Sequence, residues 1–404
     1  MTELRFDASA SQRPKRLPLG SLLALAAAGF VTAMLEMMPA GILPALSSGM
    51  GVSEAAAGQT VTVYAIGSLA GAIPIIGATM GWPRRRLLVM ALCGYVVTSL
   101  VVAVSPVFAL TLVARFVAGI FAGVLWGILA GYASRLVSPD KRGRAVTIAL
   151  AGTPIALALG TPAGAVLAAA FDWRSTFVVM AVAAAGILVW VLAIVPDFPG
   201  QEKHERTSPL KAIRVPGILP IVLSAVVFIT AHYLLYTYIA SFLIPLGMGG
   251  SVSAVLLVFG AFALAGLWGT GILIDRHLRV LMLTAVVLFA VAVLVIGLAS
   301  GSPVAVFVSV AAWGFAFGGS GSVQQTALTN AAGAAVDAAQ SVLVTGWNIG
   351  IAAGGALGGV VLGSAGASAL PLTTFALLIP VLAIVVGARQ HAFPTRRFRA
   401  GPLP

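Results

Sequence analysis

The sequence predicts an all-α polytopic membrane protein with twelve transmembrane helices in two six-helix bundles. Three observations support this fold class. Hydrophobic residues make up 60% of the 404 residues and charged residues only 8%, whereas an ordinary soluble domain carries about 25% charged residues. Apolar segments long enough to cross a bilayer, about 20 residues each, recur along the chain. One long polar segment divides them into two groups of six.

The predicted spans are the apolar segments between turn-forming or charged clusters. The first follows a basic N-terminus, but it is too long for a signal peptide and contains Glu36, so we expect it to be retained as a helix. The third and fourth are separated only by the sequence "VSP" at Val104–Pro106. The twelve segments are 17–46, 55–80, 87–105, 107–136, 143–170, 174–196, 215–245, 252–274, 279–300, 302–334, 338–364 and 367–388.

The basic residues predict the orientation. If both termini are cytoplasmic, 21 of the 23 lysines and arginines lie on cytoplasmic segments, and only Arg115 and Arg174 do not. Cytoplasmic loops of membrane proteins collect these residues, so the net charge of +12 reflects topology rather than nucleic-acid binding. The preference for Arg over Lys, with abundant Ala and Gly, is typical of a bacterial genome rich in GC. We therefore expect a multi-pass protein of the bacterial inner membrane.

The domain organisation follows from the central polar segment. The predicted parts are a cytoplasmic N-terminal segment 1–16, a bundle 17–196, a cytoplasmic linker 197–214, a bundle 215–388 and a cytoplasmic tail 389–404. The two bundles share sequence patterns: "GMGVSEA" at Gly49–Ala55 resembles "GMGGSVSA" at Gly247–Ala254. Glycines of the fifth span recur 194 positions later, in the eleventh. Parallel repeats of six spans are a transporter architecture.

Four motifs resemble one family along nearly the whole chain. They are "E..PAGILP" from Glu36, "ARFVAGIFAG" from Ala114, "GTPIALALGTPAG" from Gly152 and "DWRSTF" from Asp172. The chain resembles the major facilitator superfamily, and within it the twelve-helix drug:proton antiporters, which include bacterial drug, arabinose and nucleoside exporters. The resemblance implies a proton-coupled transporter that exports a small organic molecule by alternating access. It also implies the proton motive force in place of a cofactor, no metal, no nucleic acid, and a monomer whose partners are substrate, protons and the lipid bilayer.

The fifth span resembles the antiporter signature of this family. Its small residues allow close helix packing and its two prolines bend the helix. Close packing alone is an alternative explanation of the pattern. The residues concerned are Gly152, Pro154, Gly160, Pro162 and Gly164.

Two cytoplasmic loops resemble the family signature of a glycine, an aspartate and a basic cluster. The loop after the second span keeps only the cluster Arg84, Arg85 and Arg86, because Met80 stands about where the aspartate belongs. The corresponding loop of the second half keeps Asp275 and Arg276. Such residues can latch cytoplasmic helix ends together when the protein faces outward. Ordinary anchoring of positive charge at the cytoplasmic side is the alternative for the arginines.

Glu36 is the candidate proton carrier. Counting from near Leu22 places it about 21 Å into a hydrocarbon core of about 30 Å, where a charge is costly and usually functional. Arg115, on the fourth span, lies at a similar depth, about 18 Å from the inner side. We therefore expect Arg115 to tune the proton affinity of Glu36. A static ion pair, or an Arg115 that only binds backbone carbonyls, is the alternative.

Further polar and aromatic residues within spans are candidates for the substrate cavity. His232 is followed by three tyrosines that cannot all share one helix face. Tyr236 lies one turn from His232 and is the tyrosine we predict for the cavity wall. A neutral hydrogen-bonding role for His232, and interhelical hydrogen bonding for the others, are alternatives. The predicted cavity set is His232, Tyr236, Trp126, Gln324 and Asn348.

Two other functions compete with export. A proton-coupled importer of a small polar metabolite would share the fold, although the fifth-span signature speaks against it. A membrane-embedded enzyme would need a nucleophile with a base, or metal ligands, at one depth. Of four histidines only His232 lies within a span, and Cys93 is the single cysteine. The residues therefore favour a transporter over an enzyme, and they leave its substrate open.

Overall fold

The computed structural model describes residues 17–75, 78–79, 81–138, 141–199, 212–299 and 301–394, and within these ranges the regular structure is helical. Among these described residues, eleven helices are long and apolar enough to cross a membrane. The second predicted span is a 17-residue α-helix, Glu54–Ala70, continued by a π-helix at Gly71–Ile75. The all-α membrane fold predicted from the sequence is confirmed.

Helices of the first half begin and end close to the predicted spans. In chain order they are α1 Leu19–Met37, α2 Pro39–Met50, α3 Glu54–Ala70, α4 Arg84–Val104, α5 Phe108–Arg135, α6 Arg142–Leu150, α7 Gly152–Ile155, α8 Thr161–Ala170 and α9 Trp173–Ile194. The first span consists of α1 and α2, divided just before Pro39, whose ring removes a backbone donor. The fifth span is α6–α8 with a π-helix at Ala156–Gly160, so its irregular turns lie beside Pro154 and Pro162.

Helices of the second half complete the fold. They are α10 Ile218–Tyr236, α11 Ile239–Leu243, α12 Val252–Leu298, α13 Pro303–Ala332, α14 Val336–Ala365 and α15 Ala369–Gly387. The 47-residue α12 contains the eighth and ninth predicted spans. His277, whose backbone angles are non-helical (φ −130°, ψ 32°), marks a kink between them.

Most helices pack within their own half of the chain. In the first half α3 packs on α5, α4 on α9, and α1 on α6 and α9. In the second half α10 packs on α14 and α15, and α12 on α13. Across the halves, α3 contacts α14, α8 contacts α12, and α2 contacts α11. The halves therefore meet through α2, α3 and α8 of the first and α11, α12 and α14 of the second.

One helix crossing occurs in both halves with the same residue pattern. Where α5 crosses α3, two glycines lie so close to backbone carbonyls that a methyl group at either would overlap the facing helix, and the crossing of α13 with α12 repeats this 195 positions later. Such close approach is typical of small residues in membrane helices. The pairs are Gly119 with Tyr64, Gly123 with Ser68, Gly314 with Phe259 and Gly318 with Ala263. The internal repeat predicted from the sequence therefore includes the packing of these two helix pairs.

Candidate functional site

Glu36 lies in the last turn of α1 and is partly exposed. Its carboxylate Oε1 accepts a hydrogen bond of 2.6 Å from the hydroxyl of Tyr233 on α10. A distance of 2.5–2.7 Å is typical of a hydroxyl that donates to an ionised oxygen. The bond joins the two halves of the chain between two predicted membrane spans. Sequence reasoning grouped Tyr233 with two other tyrosines and did not select it.

Arg115 is held by the backbone of the first span. The side chain is 1% exposed. Its Nη1 donates to the carbonyl oxygen of Leu35 at 2.5 Å, and its Nε donates to the carbonyl of Thr60 at 3.2 Å. Leu35 precedes Pro39 by four residues, so its carbonyl has no helical N–H partner. Arg115 therefore supplies the hydrogen bond that Pro39 removes from the first span.

A tyrosine network surrounds this arginine. The guanidinium carbon of Arg115 lies 4.3 Å from the centre of the Tyr64 ring, which is cation–π geometry. The hydroxyl of Tyr64 donates to the carbonyl of Thr32 at 3.1 Å, and that of Tyr95 donates to Thr32 Oγ1 at 3.1 Å. Helices α3, α4 and α5 thus all bind α1 within two turns of Glu36. Tyrosines at the middle of otherwise apolar spans were the sequence signal for this network.

The structure brings Glu36 and Arg115 to the same depth, because Arg115 binds the residue next to Glu36. No ion pair joins the two side chains, and the positive charge acts on the carboxylate through space. Hydrogen bonding of Arg115 to backbone carbonyls, one of the two alternatives from the sequence, is the arrangement observed. Tuning of Glu36 by Arg115 stays a prediction.

His232 lies in an aromatic cluster on the second half. The imidazole is fully buried and stacks on Phe317 at 3.7 Å between ring centres and on Tyr236 at 5.0 Å. Phe259 and Trp313 complete what we call the His232 cluster. Both imidazole nitrogens and the indole nitrogen of Trp313 have no hydrogen-bond partner. Buried polar atoms are usually paired with protein or water, so three unpartnered nitrogens in one cluster are unusual.

Tyr236 belongs to this cluster through its stacking on His232, and its predicted place in a cavity wall stays a prediction. Its hydroxyl faces the hydroxyl of Thr161 on α8 without a well-formed hydrogen bond. The aromatic members Phe259, Trp313 and Phe317 were not predicted, because apolar side chains in an apolar span carry no distinguishing signal.

The other predicted cavity residues have diverse surroundings. Gln324 is buried, and its carbonyl oxygen accepts a 2.8 Å hydrogen bond from the Trp347 indole, which leaves the amide nitrogen unpartnered. Asn348 donates to the carbonyl of Val344 on its own helix. Trp126 lies against Gly29 of α1 rather than among the rings of the His232 cluster. Their contact with substrate stays a prediction.

The antiporter-like fifth span packs on the first. A side chain at Gly152 would overlap the carbonyl of Ala26, and one at Gly160 would overlap the Met34 sulfur. Gly164 approaches Met38 at the point where α1 gives way to α2. The small residues therefore bring this span against the helix that carries Glu36. Close packing explains the observed pattern, and a role in antiport stays a prediction.

The predicted latch residues lie at the start of α4 and beside the kink within α12. The backbone N–H of Arg85 donates to Asp197 Oδ1 at 3.0 Å, and its guanidinium binds the carbonyl of Leu192, which anchors it within the first half. Arg279, 194 positions later, binds the equivalent carbonyl of Val386 at 3.0 Å. Arg276 is exposed.

The remaining latch residues add two observations. The backbone N–H of Arg84 donates to the carbonyl of Phe198. The guanidinium of Arg86 lies over the Trp82 ring. The side chain of Asp275 lies outside the part of the chain that the structure describes. A latch across the two halves stays a prediction.

Two related bundles of membrane helices that pack on each other are an architecture of secondary transporters. The sequence profile of the Major Facilitator Superfamily matches residues 25–334. The chain therefore belongs to this superfamily and is a multi-pass membrane transporter, not an enzyme.

Individual relatives agree with this assignment. The chain is 29% identical over 386 residues to a chloramphenicol efflux pump of Mycobacterium tuberculosis, covering 92% of each protein. It is 27% identical over 348 residues to a "probable sugar efflux transporter" of Mannheimia succiniciproducens, covering 84% of this chain and 86% of that protein. The fold is also similar to a bacterial homologue of the human lysosomal transporter Spinster, with a TM-score of 0.70, 15% identity, and coverage of 95% of this chain and 100% of that one.

Proposed function

We propose that the chain is a proton-coupled exporter of small, uncharged organic molecules that works by alternating access in the bacterial inner membrane. The observation that carries the proposal is Glu36, a partly exposed carboxylate inside a membrane helix, bound to the opposite bundle by Tyr233. An acid at this depth in a membrane costs free energy, and such residues usually serve a function. The two efflux proteins that the chain resembles support the direction of transport.

In this proposal Glu36 carries the proton. It takes a proton from water when the site is open to the outside and releases it to the cytoplasm when the site is open to the inside. Arg115 is held by backbone carbonyls and stays in place through the cycle. Its fixed positive charge favours the ionised carboxylate and offsets the effect of burial, so proton uptake and release both remain accessible.

The His232 cluster is the proposed substrate wall. It combines aromatic faces with unpartnered nitrogen atoms and holds no acid or arginine. Such a surface suits a neutral molecule that stacks on rings and exchanges hydrogen bonds through hydroxyl or amide groups. Sugars and chloramphenicol are uncharged molecules that carry hydroxyl groups, so the cluster fits the chemistry named for the two relatives.

A growth-inhibition panel in a pump-deficient bacterial host tests the proposal. Cells with the wild-type protein should tolerate higher concentrations of some uncharged compounds than cells with Glu36→Gln. The amide fills the space of the carboxyl but cannot exchange a proton, so resistance should be lost at equal membrane expression. Equal resistance with the Gln variant would remove Glu36 from the mechanism, and accumulation of substrate in the cell would reverse the proposed direction.

A further inference from the structure

We infer that Tyr233 is a positioning residue that keeps the empty, deprotonated transporter closed toward the outside, and thereby ties proton movement to substrate movement. The inference rests on the proposed function, in which Glu36 carries the proton. Tyr233 acts through Glu36, by the hydrogen bond of 2.6 Å between the two bundles.

The bond lies at the inner end of a contact zone between the bundles. Between Tyr233 and the predicted extracellular loops, the Tyr238 hydroxyl approaches the carbonyl of Ala55 on α3 at 3.5 Å, and α2 packs on α11. Opening this end must move α1 and α2 away from α10 and α11. The Tyr233–Glu36 bond joins α1 to α10, so it has to break before the site can open outward.

The strength of the bond depends on the charge of Glu36. A hydroxyl bound to an ionised carboxylate makes a hydrogen bond roughly twice as strong as one to a neutral group. Tyr233 is 3% exposed, so water competes poorly for its hydroxyl. The bond is therefore strongest when Glu36 has lost its proton, and protonation weakens it.

In the proposed function Glu36 is the group at this bond that gains and loses a proton. Arg115 and the tyrosines Tyr64 and Tyr95 approach it from α5, α3 and α4, and free arginine and tyrosine side chains titrate only at about pH 10 or above. His232 packs edge-on against the Tyr233 ring, but its aromatic surroundings offer no partner for a charged imidazole.

An exchanger needs such a restraint. If the empty transporter with an ionised Glu36 opened outward, it would bind a proton and carry it inward without exporting any substrate. The bond is strongest in that state. The Tyr236 ring of the His232 cluster lies 6.3 Å from the Tyr233 ring. A substrate bound at the cluster can therefore accept a hydrogen bond from the Tyr233 hydroxyl, which breaks the bond to Glu36 and releases the restraint.

Proton flux without substrate tests the inference. Tyr233→Phe, purified and reconstituted in liposomes with a pH gradient and an internal pH dye, removes the hydroxyl and keeps the ring. Without substrate it should pass protons about tenfold faster than wild type or more, since hydrogen bonds to charged groups contribute at least a factor of about ten. Tyr132→Phe, which loses a hydroxyl bound to the carbonyl of Pro196 within the first half, should leak no more than wild type. Adding Glu36→Gln to Tyr233→Phe should abolish the leak.

The outcomes separate the inference from the proposed function. The role of Tyr233 would be overturned by a folded Tyr233→Phe protein whose leak equals that of wild type, or by a leak that survives the addition of Glu36→Gln. In either case, substrate-coupled proton flux through the wild-type protein would still support the proposed function. Export by the wild-type protein without any proton flux would contradict both the inference and the proposed function.

A second measurement does not depend on the stability of Tyr233→Phe. Spin labels at Ser48→Cys and Gly250→Cys, in a Cys93→Ser background, report the distance between the predicted extracellular ends of the bundles. Without substrate at alkaline pH, Glu36→Gln should show a larger open population than the protein with Glu36. Identical distance distributions would contradict the inference.

Discussion

The arrangement of Arg115, Leu35 and Pro39 makes a quantitative prediction. Because Pro39 has no N–H, Arg115 supplies the donor for the Leu35 carbonyl. Arg115→Ala should leave this buried carbonyl unpaired, at a cost of about 1–3 kcal/mol, in addition to the lost contact with the Tyr64 ring. Pro39→Ala should restore a helical N–H for Leu35, because the backbone at Met38 is already helical (φ −54°, ψ −36°).

A double-mutant cycle isolates the carbonyl bond. In the Pro39→Ala background, removal of Arg115 no longer leaves the carbonyl of Leu35 without a donor. The cost of Arg115→Ala should therefore fall by about 1–3 kcal/mol relative to its cost with Pro39 present. Reversible denaturation in mixed micelles measures the four free energies of unfolding. Pro44→Ala is the matched control, because Pro44 also lies inside α2 and its preceding turn is not bound by Arg115.

The outcome that would refute this reasoning is additivity. If Arg115→Ala costs the same with Pro39 present and in the Pro39→Ala background, within about 0.5 kcal/mol, then Arg115 does not compensate for the proline. Coupling to Pro44→Ala of the same size as coupling to Pro39→Ala would also contradict it, since the effect would then reflect general helix flexibility.

Two further predictions concern the fold. Reporter fusions should place the loops Gly49–Glu54 and Gly247–Ser251 outside and the linker Gln201–Arg214 inside, and one loop on the wrong side would break the predicted topology. Gly123→Val should greatly lower the yield of folded protein, because the side chain would collide with α3. A Cβ at Gly131 on the same helix has no neighbouring atom within 4 Å, so Gly131→Val should be tolerated. Equal yields of the two variants would contradict the close crossing of α5 with α3.

The sequence predicted the fold because each feature has a strong one-dimensional signal. Long apolar segments, basic loops and a repeat of about 195 positions are visible without knowledge of helix contacts. Depth along a helix also follows from residue counting, so Glu36 and Arg115 were expected at one level, and Arg115 does bind the neighbour of Glu36.

The rotation of each helix about its axis could not be predicted in the same way. In a span that is apolar on all sides, no polar face shows which residues point inward. Tyr236 was therefore chosen over Tyr233 from its spacing to His232, whereas the structure turns Tyr233 toward Glu36 and Tyr236 into the His232 cluster.

Other contacts had a signal that sequence reasoning did not use. A proline inside a span leaves a carbonyl unpaired, so Pro39 already indicated that Leu35 needs a donor from another helix. Asp197, by contrast, carries no such signal at the start of the predicted linker, and only the packing of this segment on α4 shows that it binds Arg85.

The central claim, that Glu36 carries the proton that drives export, is tested most directly by substrate-dependent proton flux in proteoliposomes. An imposed gradient of a transported uncharged compound should drive proton movement in the opposite direction through the wild-type protein. The same gradient should drive none through a folded Glu36→Gln protein. Equal substrate-driven proton flux through both proteins would contradict the account.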